Sequence, residues 1–430
     1  MTHPPEPGTG EAAGKVGALD TVMKAAVLLQ ESGQSTSMTL TAVDRLNAGL
    51  GIRSSLVPSW TSLMLTSGRA DVPVRVASVS PVGINMRRVA TAMRIIDRAE
   101  DGPLDRDVVD RQLDAARALK PSNDVVFTIA CATGAGALAV VFGVTDPGAV
   151  LWVAVSAAVG GLIRRTLGRF GIGTLSQAFV AATIAGLIGA AAMHLDLGAA
   201  PGLVAVCPTM VLVPGPHILN GALDLLALRI TLGIARLGYA TLILLAIATG
   251  LILGLRLGGQ TLSVTGSGTE VPLYVDILAA GVAAASYPVY FSMPYRMIGW
   301  PVAAGMLAHA AHWYALAGWK VDLPTAALAA CLLVGMLLIP VSHFLRMPFA
   351  AIGFASVVAL VPGVYVFRML SGIVQLQSTT SADLLAATVS DAAVATLVVA
   401  GMVIGLVVPM RLRDALVFAG ARRHAEHLKD

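Results

Sequence analysis

Charged residues are scarce in this chain. Asp, Glu, Lys and Arg make up 13% of its 430 residues, against 56% hydrophobic ones. A soluble globular protein carries roughly a quarter of its residues charged, so the deficit excludes a wholly soluble enzyme and requires a polytopic membrane protein. Cysteine is scarcer still. Cys131, Cys207 and Cys331 stand apart in apolar runs with no CxxC or His spacing, which argues against disulfides and metal ligands alike. No GxxxxGKS/T loop is present, and Gly14-Lys15-Val16 lacks both its spacing and its hydroxyl, so primary pumping is disfavoured. An intramembrane protease would need a Gly-x-Ser-Gly or Gly-x-Gly-Asp pair, and a channel would need a filter loop; the sequence has none of these. No cofactor and no nucleic-acid partner is expected.

Residues 1–15 read as a disordered Pro/Gly tail and no signal peptide is expected, since the first spanning candidate starts near Val125. Residues 16–122 read as a small cytoplasmic α+β domain. Helices are expected over Leu19–Gln30, Thr39–Leu50, Asn85–Arg98 and Asp105–Leu119. Short strands are expected at Ser54–Pro58, Ser62–Thr66 and Val74–Ser80, with a turn at Gly68-Arg69-Ala70-Asp71. Arg87, Arg88, Arg94 and Arg98 form a basic face or, more simply, a solvated helix surface.

Ten spans follow, at about 125–143, 149–166, 175–193, 200–229, 237–257, 272–292, 297–317, 324–343, 348–376 and 383–409. With a cytoplasmic N-terminus, the inner loops hold Arg164, Arg165, Arg169, Arg229, Arg236, Arg296 and Arg346, and the basic tail 411–430 adds Arg411, Arg413, Arg422, Arg423 and Lys429. The outer loops hold only Arg256 and Lys320. That bias places both termini in the cytoplasm, in a multi-pass protein of a bacterial cytoplasmic membrane.

The most informative stretch is Cys207–Arg236. Its apolar run breaks at Val213-Pro214-Gly215-Pro216 and resumes as a helix with His217, Asn220 and Asp224 on one face. Proline cannot donate the intrahelical hydrogen bond, so the helix should split here near mid-depth. A split helix in lipid must face protein or a wet cavity. A binding site and a kink satisfied by neighbouring helices both meet that condition.

Val213-Pro214-Gly215 recurs as Val361-Pro362-Gly363, a shift of 362 − 214 = 148. The same shift pairs Trp152 with Trp300 and superposes each span of residues 123–260 on one of residues 270–410. Five spans is an odd number, so the second half must enter the membrane inverted. Two inverted five-helix repeats then bring Pro214, Pro216 and Pro362 to a shared polar chamber. The half-helix starts at Gly215 and Gly363 would aim amides at an anion there.

Tyr365, Arg368 and Gln375 share a face of the second broken helix. Arg368 and the amide ends suit a carboxylate, while Asn220 and Asp224 suit hydroxyl or ammonium groups. A structural ion pair of Arg368 with Asp224 or Asp391 is the plainer alternative. Asp224 and Asp391 are the candidates for proton coupling; Asp276 reads as interfacial. His309 and His312 have metal-like spacing but no nearby acidic ligand, which favours core or pore-lining roles.

Around VPGPHILNGALDLLALRITLGIAR the chain resembles the threonine/serine exporter family, through Pro214-Gly215, Asn220, Asp224-Leu225, Gly233 and Arg236. LVPGVYVFRMLSGIVQL is similar to that family's C-terminal module, and Gln34-Ser35-Thr36 to its Gly-Ala-Ser-Thr turn. The resemblance runs from about Ala25 to about Arg413. It implies a cytoplasmic N-terminal domain, ten spans and proton-motive-force-driven export of threonine and serine by alternating access. Relatives with separate halves are associated with succinate export, so a dicarboxylate stays open as substrate. A membrane enzyme or scaffold centred on the N-terminal domain is the alternative of a different class, and a homo-oligomer is left open.

Overall fold

The computed structural model describes residues 9–67, 74–195, 201–262, 271–344, 349–379 and 381–427. The expected turn at Gly68-Arg69-Ala70-Asp71, the first eight residues of the tail, Arg346 and Lys429 lie outside them.

Helix α1 (Thr9–Glu31) begins inside the stretch read as a disordered tail. The Pro-rich run ends at Pro7, and the Ala, Glu and Lys that follow are good helix formers. Helix α2 (Thr36–Leu50) is capped by Ser35 and closed by Gly51, whose φ of 65° suits a residue without a side chain. Strands β1 (Ser54–Pro58), β2 (Ser62–Ser67) and β3 (Arg75–Ser78) form an antiparallel meander with Leu56 opposite Leu65. Leu56, Leu63 and Leu65 are buried, as the alternation of strand side chains requires. Helices α3 (Met86–Ile96) and α4 (Arg106–Arg117) complete this region and pack on each other. The expected basic face of α3 and the turn after it is used locally. Arg88 donates to the Leu119 carbonyl, Arg98 to Gln112, and Arg87 lies over the Tyr295 ring.

Twelve helices follow among the described residues. The first half holds α5 (Asp124–Val141), α6 (Pro147–Arg169), α7 (Thr174–His194), α8 (Pro201–Met210), α9 (Gly215–Leu226) and α10 (Ile230–Leu257). The second holds α11 (Leu273–Tyr290), α12 (Gly299–Ala317), α13 (Leu323–Phe344), α14 (Phe349–Val357), α15 (Gly363–Gln375) and α16 (Ala382–His427). Among the described residues, seven are long and apolar enough to cross a membrane, and nine spans result if each bent pair, α8–α9 and α14–α15, counts once. Of the ten expected spans, α12 is the one left out: two His and two Trp lower its hydropathy. Large apolar side chains such as Ile129, Leu242, Leu278 and Leu397 are exposed on the outside of the bundle, as a lipid-facing surface demands.

The two halves use the same packing scheme. Helix α7 lies against α10 as α13 lies against α16, and α8 meets α5, α6 and α7 as α14 meets α11, α12 and α13. Both long pairs come close through glycine: a side chain on Gly254 would strike the Thr183 carbonyl, and one on Gly405 the Leu328 carbonyl. Two boundaries differ from expectation. Helix α10 starts at Ile230, so Arg236 sits within a helix and not in a loop. Helix α16 runs past the expected end of the last span into the basic tail, because Pro409 is carried within the helix without ending it.

Candidate functional site

The two breaks share one local solution. Pro214 has φ −81° and ψ 54°, and Pro362 has φ −79° and ψ 45°. Each turns the chain so that the next glycine amide donates back to a valine carbonyl: Gly215 to Val213 at 2.9 Å and Gly363 to Val361 at 2.8 Å. The bends are 58° and 66°. At the first break His217 and Ile218 also donate to the Pro214 carbonyl, and Pro216 has no N–H. The expected free amide end at Gly215 is therefore already used up by the turn itself. The opposite terminus is capped as well, since the Tyr287 hydroxyl donates to the Met210 carbonyl at 3.0 Å.

His217, Asn220 and Asp224 lie together, as their spacing requires, and all three are buried. Asp224 Oδ2 is 3.0 Å from Arg236 Nε, and its Oδ1 is 3.4 Å from Arg229 Nη1. Helix α9 supplies the acid, and α10 and the turn before it supply both bases. The cover comes from far away in sequence. The Thr36 hydroxyl donates to Asp224 Oδ2 at 3.0 Å and accepts from Arg236 Nη2 at 3.2 Å. Arg229 donates to the Ser37 hydroxyl, and Asn220 donates to the Gly33 carbonyl. Trp60 stands edge-on to His217 and packs on Tyr239. The turn Gly33–Ser37 thus closes over the polar face of α9.

Arg368 does not join this cluster. Its Nε lies 3.1 Å from Asp391 Oδ2, so the second broken helix pairs with α16, and the Tyr365 ring lies beneath the guanidinium. Gln375 donates to Leu262 and Ser371. The ion pair between Arg368 and Asp391 is thus formed and the one between Arg368 and Asp224 is not. Asp276, expected at the interface, is buried and pairs with His309.

The single shared chamber is replaced by two cavities. The first, about 690 Å³, is lined by Leu212, Val213, Pro214 and His217 together with Arg164, Arg165, Phe127 and Tyr290. The second, about 330 Å³, is lined by Leu360, Val361, Pro362, Tyr365, His309, His312 and Trp313. Among the described residues neither cavity is lined by both breaks. The tips of the broken helices instead interlock. A side chain on Gly215 would strike the Phe354 ring, and one on Gly363 would meet Met210. Phe127 at the start of α5 and Tyr290 at the end of α11 line the first cavity, whereas Phe142 beyond the end of α5 and Asp276 near the start of α11 line the second. The cavities therefore sit at opposite ends of two antiparallel neighbours.

Within the first cavity the arginines differ. Arg165 and Arg169 are held by Asp124, and Arg165 also lies over the Phe127 ring. Arg164 stacks on the Tyr290 ring, its guanidinium carbon 4.9 Å from the centroid. Its Nη1 is buried with no hydrogen-bond partner among the described residues. The residue as a whole is half-buried, and a guanidinium nitrogen buried without an anion is costly unless a ligand supplies one.

Thr36, Trp60, Arg164 and Tyr290 were not candidates from sequence. For Thr36 the signal was the Gln34-Ser35-Thr36 turn, whose partner lies 188 residues on. For Arg164 the flanking-charge pattern suggested orientation only.

No curated protein and no solved structure matches the chain. Residues 20–258 match the family model described as threonine/serine exporter, and residues 276–411 match a second, described as threonine/serine exporter, ThrE. The first covers the covering turn, the α9 cluster and most of the first cavity's lining; the second covers the other broken helix and Tyr290. This multi-pass membrane protein belongs to the threonine/serine exporter family, a family of amino-acid exporters.

Proposed function

We propose that the protein is a secondary exporter of threonine and serine across the bacterial cytoplasmic membrane, driven by the proton motive force. Ten spans in two inverted repeats of five would alternate access between the two cavities. One observation carries this reading. Arg164, Arg165, Leu212, Val213, Pro214 and His217 line the first cavity, and the residues 148 positions on, His312, Trp313, Leu360, Val361, Pro362 and Tyr365, line the second. Cavities at equivalent places of two halves, at opposite ends of α5 and α11, are what an inverted repeat needs to open first to one side and then to the other. The meeting of the two family matches between residues 258 and 276 supports the same division.

The flanking Lys and Arg residues support a cytoplasmic position for the first, larger cavity. A few hundred Å³ is ample for a small amino acid. Arg164 takes the substrate carboxylate in a charge-assisted pair. Asp224 takes the ammonium group, with His217 and Asn220 beside it. The Thr36 hydroxyl, held between Asp224 and Arg236, supports the hydroxy-acid assignment: that pair accepts the same group that threonine and serine carry. Movement of the Gly33–Ser37 turn would expose it. Asp224 and Asp391 each hold an arginine, so protonating either frees a cation and links proton binding to rearrangement.

Counterflow of labelled threonine, serine and succinate in liposomes, with and without a pH gradient, tests the reading. Threonine and serine should exchange, and Arg164→Gln should weaken both. The cationic lining of the first cavity favours a second reading, dicarboxylate export. Succinate exchange without threonine exchange would establish it, and the double variant Asp224→Asn with Arg236→Gln, which leaves no buried charge unpaired, would then be tolerated.

A further inference from the structure

Asp276 and His309 form a buried acid–base pair in the wall of the second cavity. Asp276 Oδ2 lies 3.0 Å from His309 Nδ1, and both side chains are more than nine-tenths buried. His309 Nε2 is buried with no hydrogen-bond partner among the described residues. His312, one turn further along α12, has its ring 6.1 Å away. With Nδ1–H donating to the carboxylate, Nε2 carries a lone pair, and the ring is a base with one vacant position.

This pair has no counterpart in the first half. The residues 148 positions earlier are Thr128 for Asp276, Gly161 for His309 and Arg164 for His312. A fixed cation therefore stands beside the first cavity where a titratable base stands beside the second. Among the described residues no group of three His, Cys, Asp or Glu is placed to hold a metal ion. The remaining chemistry is that of a proton.

We propose that Asp276 and His309, reached through His312, form the site at which the exporter takes up a proton from the outer cavity. This rests on the proposed function and names the coupling site within it. The proton adds at His309 Nε2, and the only bond formed is that N–H. The imidazolium keeps its Nδ1–H on Asp276, whose carboxylate offsets the new charge; reversal of access lets the same proton leave inward. Among the described residues, the titratable side chains lining this cavity are Asp276, His309, His312 and Tyr365. Arg368 adjoins Tyr365 and is held by Asp391, while α5, α13 and α16 contribute apolar groups, Val141, Leu323 and Val398 among them.

The test uses the full chain in liposomes with an internal pH dye, measuring threonine counterflow and proton movement during threonine efflux. In the wild type, efflux should move protons and speed up with a pH gradient. His309→Gln should still exchange threonine but lose both responses, and His194→Gln, an exposed histidine on α7, should keep them. Full gradient response in His309→Gln would overturn the proposal. Should His309→Gln not insert, Asp276→Asn removes the stabilising carboxylate and should move the response to more acidic pH; an unmoved response counts equally against the dyad. If the wild type exchanges neither threonine, serine nor succinate, the transport reading fails by itself. Potentiometric titration of purified protein then decides the dyad. The wild type should bind more protons per chain than His309→Gln, and superposed curves would refute the site.

Discussion

The two broken helices are built alike in backbone and opposite in charge. At the first, an acid on α9 pairs with a base on α10; at the second, a base on α15 pairs with an acid on α16. Their burial differs too. Asp224 and Arg236 are 2% and 1% exposed and sealed beneath Thr36, whereas Arg368 is 19% exposed beside its Asp391 partner. Pro-Gly chemistry repeats because the bend is a local property. The pairing does not repeat, because a charge needs only some partner within reach. The first break is consequently a closed joint and the second a more exposed one.

That contrast is broken most severely at the closed joint. Asp224→Ala or Arg236→Leu strands a buried charge, at a cost of about 3–5 kcal/mol. It should appear as a large loss of folded protein and of thermal stability in detergent. Combining Asp224→Asn with Arg236→Gln should recover much of it, and Arg368→Gln should cost less than either single change. Equal losses at the two breaks would erase the distinction.

Next comes Arg164. Losing a hydrogen-bonded charge on a carboxylate is worth roughly 1.5–3 kcal/mol, so Arg164→Gln should raise the KM for threonine by on the order of 10- to 100-fold. Arg164→His sharpens the comparison, for it gives the first cavity the residue type that the second one carries at His312. Imidazole is cationic only below about pH 6.5, so threonine binding by this variant should be retained at low pH and fade as the pH rises. The wild type should not show that loss.

A smaller difference is expected at the interlocked tips. Gly215→Ala must displace the Phe354 ring, an overpacking costing about 1–3 kcal/mol. Gly363→Ala meets the flexible Met210 side chain, its Cε 2.7 Å from the added carbon, and should cost less. Melting of the two variants side by side checks the order. The smallest effect belongs to Thr36→Val, which keeps the shape of the seal and removes about 1 kcal/mol of hydrogen bonding. Susceptibility of the Gly33–Ser37 turn to proteolysis, relative to wild type, would report its loosening.

Much of this molecule follows from sequence alone. The apolar run lengths, the two Pro-Gly bends, the shared face of His217, Asn220 and Asp224 and the strands at Ser54–Pro58 and Ser62–Ser67 all rest on chemistry within a few residues, so they can be read without the fold. Which acid meets which base could not. Arg368 was the partner the sequence offered to Asp224, and only the bend of α9 against α10 brings Arg236 and Arg229 to it instead. Only packing across the bundle sets Thr36 on the pair of Asp224 and Arg236, separates the expected chamber into two cavities and leaves Arg164 Nη1 without a hydrogen-bond partner among the described residues. Spans and bends are dictated by covalent geometry and hydropathy along the chain, whereas partners and cavities depend on distances between segments hundreds of residues apart.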